Sequence, residues 1–171
     1  VLEIGCGNGQ LIGRLKVNGV GVDLSDRLIV SAKKLYPELT FYHGDIHEII
    51  NKFRDNDKFD YIIISDTIGY FSDVQKMLDL LHSVCKSETR VIISYFSPLW
   101  QPILSLAELF RMKMPDMNSP LFSLSDLRKF LEISDFQTVK VEKKILFPYN
   151  FLGFGRLINR FIANLPLIND L

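Results

Sequence analysis

Val1-Leu2-Glu3-Ile4-Gly5-Cys6-Gly7-Asn8-Gly9-Gln10 opens the chain, and its reading decides the fold. Apolar, β-prone residues run into three glycines at alternate positions, after which Leu11, Ile12 and Leu15 fall on one helical face. A strand, a sharp bend and a helix are implied. Glycines at the bend let the backbone turn tightly and approach a ligand closely, because no Cβ intervenes. A glycine loop alone is a weak signal. Here a second apolar run ends in Gly21-Val22-Asp23, and an acidic side chain at the end of a second strand can accept hydrogen bonds from both hydroxyls of a ribose.

Outward from that stretch the same alternation continues. Val20–Asp23 reads as a second strand, and Ser25 as the cap of a helix through Tyr36 with Ile29, Ala32 and Leu35 inward. Leu39–His43 reads as a third strand. Tyr61–Ile64 is a continuous apolar run, expected of a strand covered on both faces. Val74, Met77, Leu78 and Leu81 form a helical stripe, and Arg90–Phe96 a fifth strand. Leu124, Leu127, Phe130 and Leu131 form another stripe, started by a capping box at Ser123 and Asp126. Thr138–Ile145 reads as a sixth strand near an edge. Strands alternating with helices predict a Rossmann-like, doubly wound, mostly parallel α/β sheet with helices on both faces. Ligands bind such sheets beyond the carboxyl ends of the strands.

Residues 97–122 interrupt this rhythm with four prolines and the single tryptophan, Trp100. The segment is too long for a simple connection. It is expected to form a lid or substrate wall, or else a helical insertion that extends the core. Residues 1–145 are expected to form one domain, with 146–171 an apolar extension of it.

Composition narrows the partners. The chain has 171 residues, of which 47% are hydrophobic and 23% charged, as in an ordinary globular domain. Lys+Arg and Asp+Glu both number 20, so the net charge is zero and the electrostatic footprint of a nucleic-acid binder is missing. Cys6 and Cys85 make no disulfide framework, and no Cys/His cluster has zinc spacing, so no metal is expected. A reducing, cytoplasmic setting fits. Arg156, Arg160 and Pro166 break up the apolar tail, so no transmembrane segment is expected. Both termini look cut.

Spacing separates two nucleotide classes. The dinucleotide fingerprint wants a third glycine at the position of Gln10, and no phosphate loop ending in Gly-Lys-Ser/Thr occurs. What remains is Glu3-x-Gly5-x-Gly7-x-Gly9. A carboxylate before the glycines suits a cationic ligand better than a pyrophosphate. Glu3 is expected to orient the loop backbone and favour an ammonium or sulfonium group through space, or to brace the loop only.

At this point the chain resembles the class I S-adenosylmethionine-dependent methyltransferases. Val1–Gln10 is similar to their first motif, Gly21–Ser25 to their acidic second-strand motif, His43-Gly44-Asp45-Ile46 to the segment after the third strand, and Phe59–Asp66 to the fourth strand and its loop. The resemblance implies that Gly5, Gly7 and Gly9 line the methionine part of the cofactor and that Asp23 holds the ribose. It implies that Leu24 and Ile46 sandwich the adenine, that Asp45 accepts from its amino group, and that Ser65 and Asp66 lie by the reacting sulfur or the amino acid end. A narrower resemblance links Ser65–Phe71, Trp100-Gln101-Pro102 and Asn159–Pro166 to methyltransferase domains that follow a family 2 glycosyltransferase. It implies a fusion to such a domain in a larger protein. Two features of the family are not found in the sequence: the helix before the first strand, and the final antiparallel strand. The sheet is therefore expected to be incomplete, and Phe147–Ile168 to expose apolar surface, with weak contact to a membrane surface as the alternative.

Methyl transfer needs alignment of the acceptor and exclusion of water, and needs a base only if the acceptor must lose a proton. Asp66, Tyr70, His43 and His47 are the titratable candidates, with Asp66 and Tyr70 first and His47 more in keeping with a surface role. Tyr70, Tyr95, Phe96 and Trp100 are candidate substrate contacts. The Asn/Asp-Pro-Pro-Tyr/Phe pattern of nitrogen methylation on planar amides and adenine does not occur after the fourth strand. A small-molecule, sugar or lipid-linked acceptor is expected. The alternative is a non-catalytic S-adenosylmethionine-binding domain serving an attached glycosyltransferase, and a nucleotide-dependent oxidoreductase is disfavoured by Gln10.

Overall fold

Leu2–Ile4 forms β1, buried at every position, and the sheet grows outward from it. In a computed structural model of the chain, residues 1–53, 58–95 and 123–142 are described. The elements that follow are α1 (Gln10–Leu15), β2 (Val20–Asp23), α2 (Asp26–Leu35), β3 (Thr40–His43), α3 (Ile46–Ile49), β4 (Phe59–Ser65), α4 (Val74–Leu81), β5 (Cys85–Ser94) and α5 (Leu124–Ile133). A short turn of 3-10 helix, Ile68–Tyr70, follows β4. The chain divides into two compact units, Val1–Phe136 and Gln137–Leu171, and all of these elements lie in the first.

The strand order is β3-β2-β1-β4-β5, and every pairing is parallel. Parallel strands need crossovers, and right-handed crossovers that wind first one way and then the other place helices on opposite faces. Two apolar clusters record this. On one face Ile12 of α1 and Ile29 and Ala32 of α2 pack with Cys6 and Phe41. On the other, Leu2, Ile4, Ile62 and Ile64 meet Ile46, Ile49, Met77, Leu78, Leu81 and Leu127 from α3, α4 and α5. The doubly wound parallel sheet expected from the alternation is what the chain forms.

Local chemistry sets the helix starts. The Ser25 side chain accepts from Leu28 N and Asp73 accepts from Lys76 N, while Ser123 and Asp126 complete a reciprocal capping box.

The expected inward place of Leu35 and the burial of the apolar α1 face both fail in part. Leu11, Leu15 and Leu35 are 39%, 44% and 54% exposed. Helix α1 has only six residues and buries Ile12 alone. Beside α2 it is the Tyr36 ring that packs against the Ile12–Ile29 cluster, lying where a side chain on Gly13 would stand, so Leu35 is left outside. Strand β5 begins at Cys85, earlier than its apolar run, because Phe59 of β4 pairs with Cys85. Of the expected sixth strand, residues 138–142 are described and form no strand, while 143–145 lie outside the described residues. The insertion 97–122 and the extension 146–171 also lie outside them. Among the described residues, no helix is long and apolar enough to cross a membrane.

Candidate functional site

The sheet order reverses between β1 and β4: the chain leaves β1 toward α1 on one face and leaves β4 toward α4 on the other. Such a switch point opens a crevice at the carboxyl ends of the two strands. The glycine loop and the Ser65–Tyr70 loop end there.

The loop after β1 is held by its own backbone and by β2. Gly5 N–H and Cys6 N–H both donate to Val22 O, at 2.8 and 3.1 Å, and Gly9 N–H donates to Cys6 O at 2.9 Å. Gly5 and Gly7 have φ of 75° and 56°, the left-handed region that a side chain resists. Their surroundings differ. A Cβ on Gly5 would collide with the Thr67 side chain, whereas one on Gly7 would meet nothing within 4 Å. Gly5 is therefore glycine for packing against the loop after β4, and Gly7 presents bare backbone to open space.

Asp23, at the end of β2, ties this loop down. Its Oδ2 accepts from Gly7 N and its Oδ1 from Ser25 N, both at 2.8 Å. Leu24 beside it is 66% exposed, an apolar surface next to a carboxylate. Asp45, after β3, caps α3 by accepting from His47 N at 2.9 Å, and its Oδ1 also lies 2.7 Å from His47 Nδ1. Those two bonds, the backbone one first, lower the Asp45 pKa and keep it ionised. Ile46 is 4% exposed and belongs to the core, so it offers an adenine ring far less surface than Leu24 does.

Glu3 turns the other way. It is buried, and its Oε2 accepts from Ile12 N at 3.1 Å, which braces the start of α1 from beneath the loop. Desolvation pushes its carboxyl up to about 7, against the Ile12 hydrogen bond and with help from the Asp23 charge. Burial, then Asp23, then Glu3 push the Cys6 thiol up to about 12, so Cys6 packs and does not act as a nucleophile.

Across the crevice, Asp66 has a left-handed φ of 51°. Its N–H donates to Ser94 O at 2.9 Å, and its Oδ1 accepts from Ser94 Oγ at 3.3 Å. Ser65 Oγ lies 3.2 Å from Ser94 Oγ. Thr67 Oγ1 donates to Ser65 O at 2.7 Å and packs over Gly5, so the two loops are fitted together. Tyr70 ends the 3-10 turn and is 59% exposed. Tyr95 packs against the core cluster beyond β5, and burial raises its pKa. Phe96 and Trp100 lie outside the described residues.

Ser94, Thr67 and the orienting role of His47 were missed by sequence reasoning. Thr67 directly follows Ser65-Asp66, but its contact with Gly5 depends on the β1–β4 pairing. Ser94 ends the run Val91-Ile92-Ile93, and only the register that sets it opposite Ser65 makes it a neighbour of Asp66. His43 hydrogen-bonds Leu24 O at 3.1 Å and so ties β3 to the segment after β2. His82 is held by Ser134 O at 2.7 Å and stacks on Phe136, a packing role.

The arrangement fits an adenosyl amino acid: open backbone at Gly7, an exposed aliphatic surface at Leu24, and carboxylates at the ends of β2 and β3 with lone pairs left to accept from hydroxyl and amino donors. A cavity of about 300 Å³ lined by Ile12, Lys16, Val17, Asn18, Glu38 and Leu39 lies among the loops that enter β2 and β3, at the other end of the sheet. It is not this crevice. Among the described residues no cluster of three or more His, Cys, Asp or Glu could hold a metal ion.

Comparison with known proteins agrees with this fold. A family model described as a methyltransferase domain matches residues 1–142. A SAM-dependent methyltransferase from Thermotoga maritima is 22% identical with a TM-score of 0.65, over 85% of this chain and 67% of that one. The plantazolicin methyltransferase, in complex with a triazolic desmethylPZN analog and S-adenosylhomocysteine (SAH), is 23% identical with a TM-score of 0.63, over 78% of this chain and 52% of that one. The magnesium protoporphyrin IX methyltransferase from Synechocystis PCC 6803, with bound SAH, is 20% identical with a TM-score of 0.61, over 86% of this chain and 68% of that one. At these identities the likeness is one of fold, and the chain spans from about half to two thirds of those proteins. No curated protein matches the chain by sequence.

Proposed function

The chain belongs to the methyltransferase-domain family, and from that premise we propose that it binds S-adenosylmethionine across the carboxyl ends of β1, β2 and β3 and methylates a small-molecule, sugar or lipid-linked acceptor. The observation that carries this is Gly7, whose backbone is left-handed, open to solvent on its Cβ side and anchored through its N–H to Asp23. Gly5, Gly7 and Gly9 form the seat of the methionine part. Asp23 takes the ribose hydroxyls, Leu24 and the edge of Ile46 flank the adenine, and Asp45 accepts from its amino group. Glu3 braces the loop from behind by accepting from Ile12 N.

The bound cofactor supplies a methyl group on a positively charged sulfur, an activated donor. The chain supplies position and dryness. Ser65 and Asp66 follow β4 at the carboxyl end of the sheet, and Ser94 at the end of β5 donates to the Asp66 carboxylate. Asp66 accepts a proton if the acceptor is a hydroxyl. Tyr70 contacts the acceptor at the mouth, with Tyr95 beyond β5 as a second contact. The likeness of Ser65–Phe71, Trp100–Pro102 and Asn159–Pro166 to domains that follow a glycosyltransferase supports a sugar-bearing acceptor and a larger polypeptide as the setting.

Radiolabelled methyl transfer to a panel of sugars, lipid-linked glycans and small hydroxylated molecules tests the proposal. Label in an acceptor supports it, and loss of that label in Asp66→Ala assigns the proton-accepting role. Cofactor binding with no transfer to any acceptor favours a non-catalytic domain serving an attached enzyme.

A further inference from the structure

His47 stands two residues beyond Asp45, the proposed acceptor for the adenine amino group, and it holds one oxygen of that carboxylate twice. Asp45 Oδ1 accepts from the His47 backbone N–H at 2.9 Å and lies 2.7 Å from His47 Nδ1. An ionised carboxylate only accepts, so Nδ1 carries the hydrogen. Among the described residues, no partner faces Asp45 Oδ2. The His47 side chain is 22% exposed and the Asp45 side chain 49%, so the ring lies more sheltered and the carboxylate faces outward. The ring sits on α3 between Ile46 and Ile49, both buried in the core, and Asn51 Nδ2 donates to His47 O at 3.2 Å. The histidine is thus on a fixed element while the carboxylate it grips is on an open one.

We propose that His47 is a positioning residue that sets which purine the site accepts. With Oδ1 occupied by His47, the Asp45 carboxylate has one rotational setting, and Oδ2 is the acceptor left for a ligand. An acceptor at that place pairs with an exocyclic amino group and repels a carbonyl oxygen. The site therefore selects an adenosyl over an inosyl ligand, and the selection depends on the ring that holds the carboxylate still. Without the ring, only the His47 backbone N–H still holds Oδ1, so the carboxylate can turn about that one bond, and the penalty against a carbonyl weakens together with the gain from an amino group. This inference rests on the S-adenosylmethionine reading, and its test keeps the two apart.

The experiment is calorimetric titration of the whole chain with SAH and with S-inosylhomocysteine, whose 6-amino group is replaced by a carbonyl oxygen. The unaltered chain is expected to prefer SAH by roughly tenfold or more. His47→Phe keeps a ring and removes the donor, and is expected to bring that ratio within about twofold of one, with SAH affinity down roughly five- to tenfold. His47→Gln offers an amide donor in place of the ring and is expected to recover much of the ratio. Melting of the unliganded variants checks the fold, and His47→Ala carries the same comparison should His47→Phe not fold. An unchanged ratio in the donorless variants, with SAH still bound, overturns the inference alone. Absence of SAH binding by the unaltered chain overturns the cofactor reading and this inference with it.

Discussion

The Asp23 carboxylate joins β2 to the backbone of Gly7: Oδ2 accepts the Gly7 N–H at 2.8 Å while Oδ1 accepts the Ser25 N–H at 2.8 Å. One side chain thus fixes the open glycine of the loop and the cap of α2 at once. Each oxygen keeps a second lone pair, so the carboxylate is oriented by the protein and still able to receive ribose hydroxyls.

Replacing Asp23 by Ala removes both the proposed ribose contact and the anchor of Gly7. Hydrogen bonds to a charged group contribute roughly 1.5–3 kcal/mol, so S-adenosylmethionine affinity is expected to fall about 10- to 100-fold. Asp23→Asn, which keeps one acceptor, is expected to lose less. Calorimetry on the folded variants checks both, and unchanged affinity in Asp23→Ala removes the residue from the site.

The glycines separate by mechanism. Gly5→Ala drives a methyl into Thr67 at a left-handed φ, and is expected to cost on the order of 2–3 kcal/mol in chemical denaturation. Thr67→Ala in the same chain recovers part of that. Gly7→Ala meets no neighbour and is expected to cost only about 1 kcal/mol of stability, yet to weaken cofactor binding by at least roughly tenfold by filling the seat. Equal binding losses in both, scaled to stability, would contradict a ligand role for Gly7.

Glu3 makes stability depend on pH. Its folded carboxyl lies at about 7 against an ordinary 4.5. The folded state therefore holds the proton more tightly, and stability falls as pH rises between those values and levels off above them. The contribution is on the order of 3 kcal/mol. Denaturation midpoints measured from pH 4.5 to 8 should show a falling component that Glu3→Gln removes. An identical slope in the variant rules out a buried, proton-binding Glu3.

Asp66, the proposed proton acceptor, sits on a strained backbone. A left-handed backbone at a residue with a side chain costs about 1 kcal/mol. Asp66→Gly is therefore expected to raise the melting temperature while reducing methyl transfer. A variant that gains stability and keeps full transfer shows that the Asp66 side chain takes no part.

Most of the architecture was legible because each strand and helix announces itself locally. The Val1–Ile4 run before three glycines, the Ser25 cap, the Val74–Leu81 stripe and the Ser123 capping box all correspond to elements that form where expected. Side-chain direction was less legible. Leu35 obeys the helical period but loses its place to Tyr36, a tertiary competition that no local pattern records. In the site, the glycines and Asp23 stand out because their spacing is set within one strand-loop-helix unit. Thr67 and Ser94 reach the crevice only through pairing of β4 with β1 and β5, and serine or threonine after an apolar run carries no signal of its own. Glu3 could be read as loop brace or as cation partner, and its burial against α1 favours the brace.

The central claim is the seat over Gly7 between Asp23 and Asp45. A crystal structure of the chain grown with SAH tests it most directly. The account predicts the ribose hydroxyls on Asp23, the adenine amino group on Asp45 and the amino acid chain across Gly5–Gly9. Ligand bound elsewhere on the molecule, or protein atoms filling the space above Gly7, would contradict it.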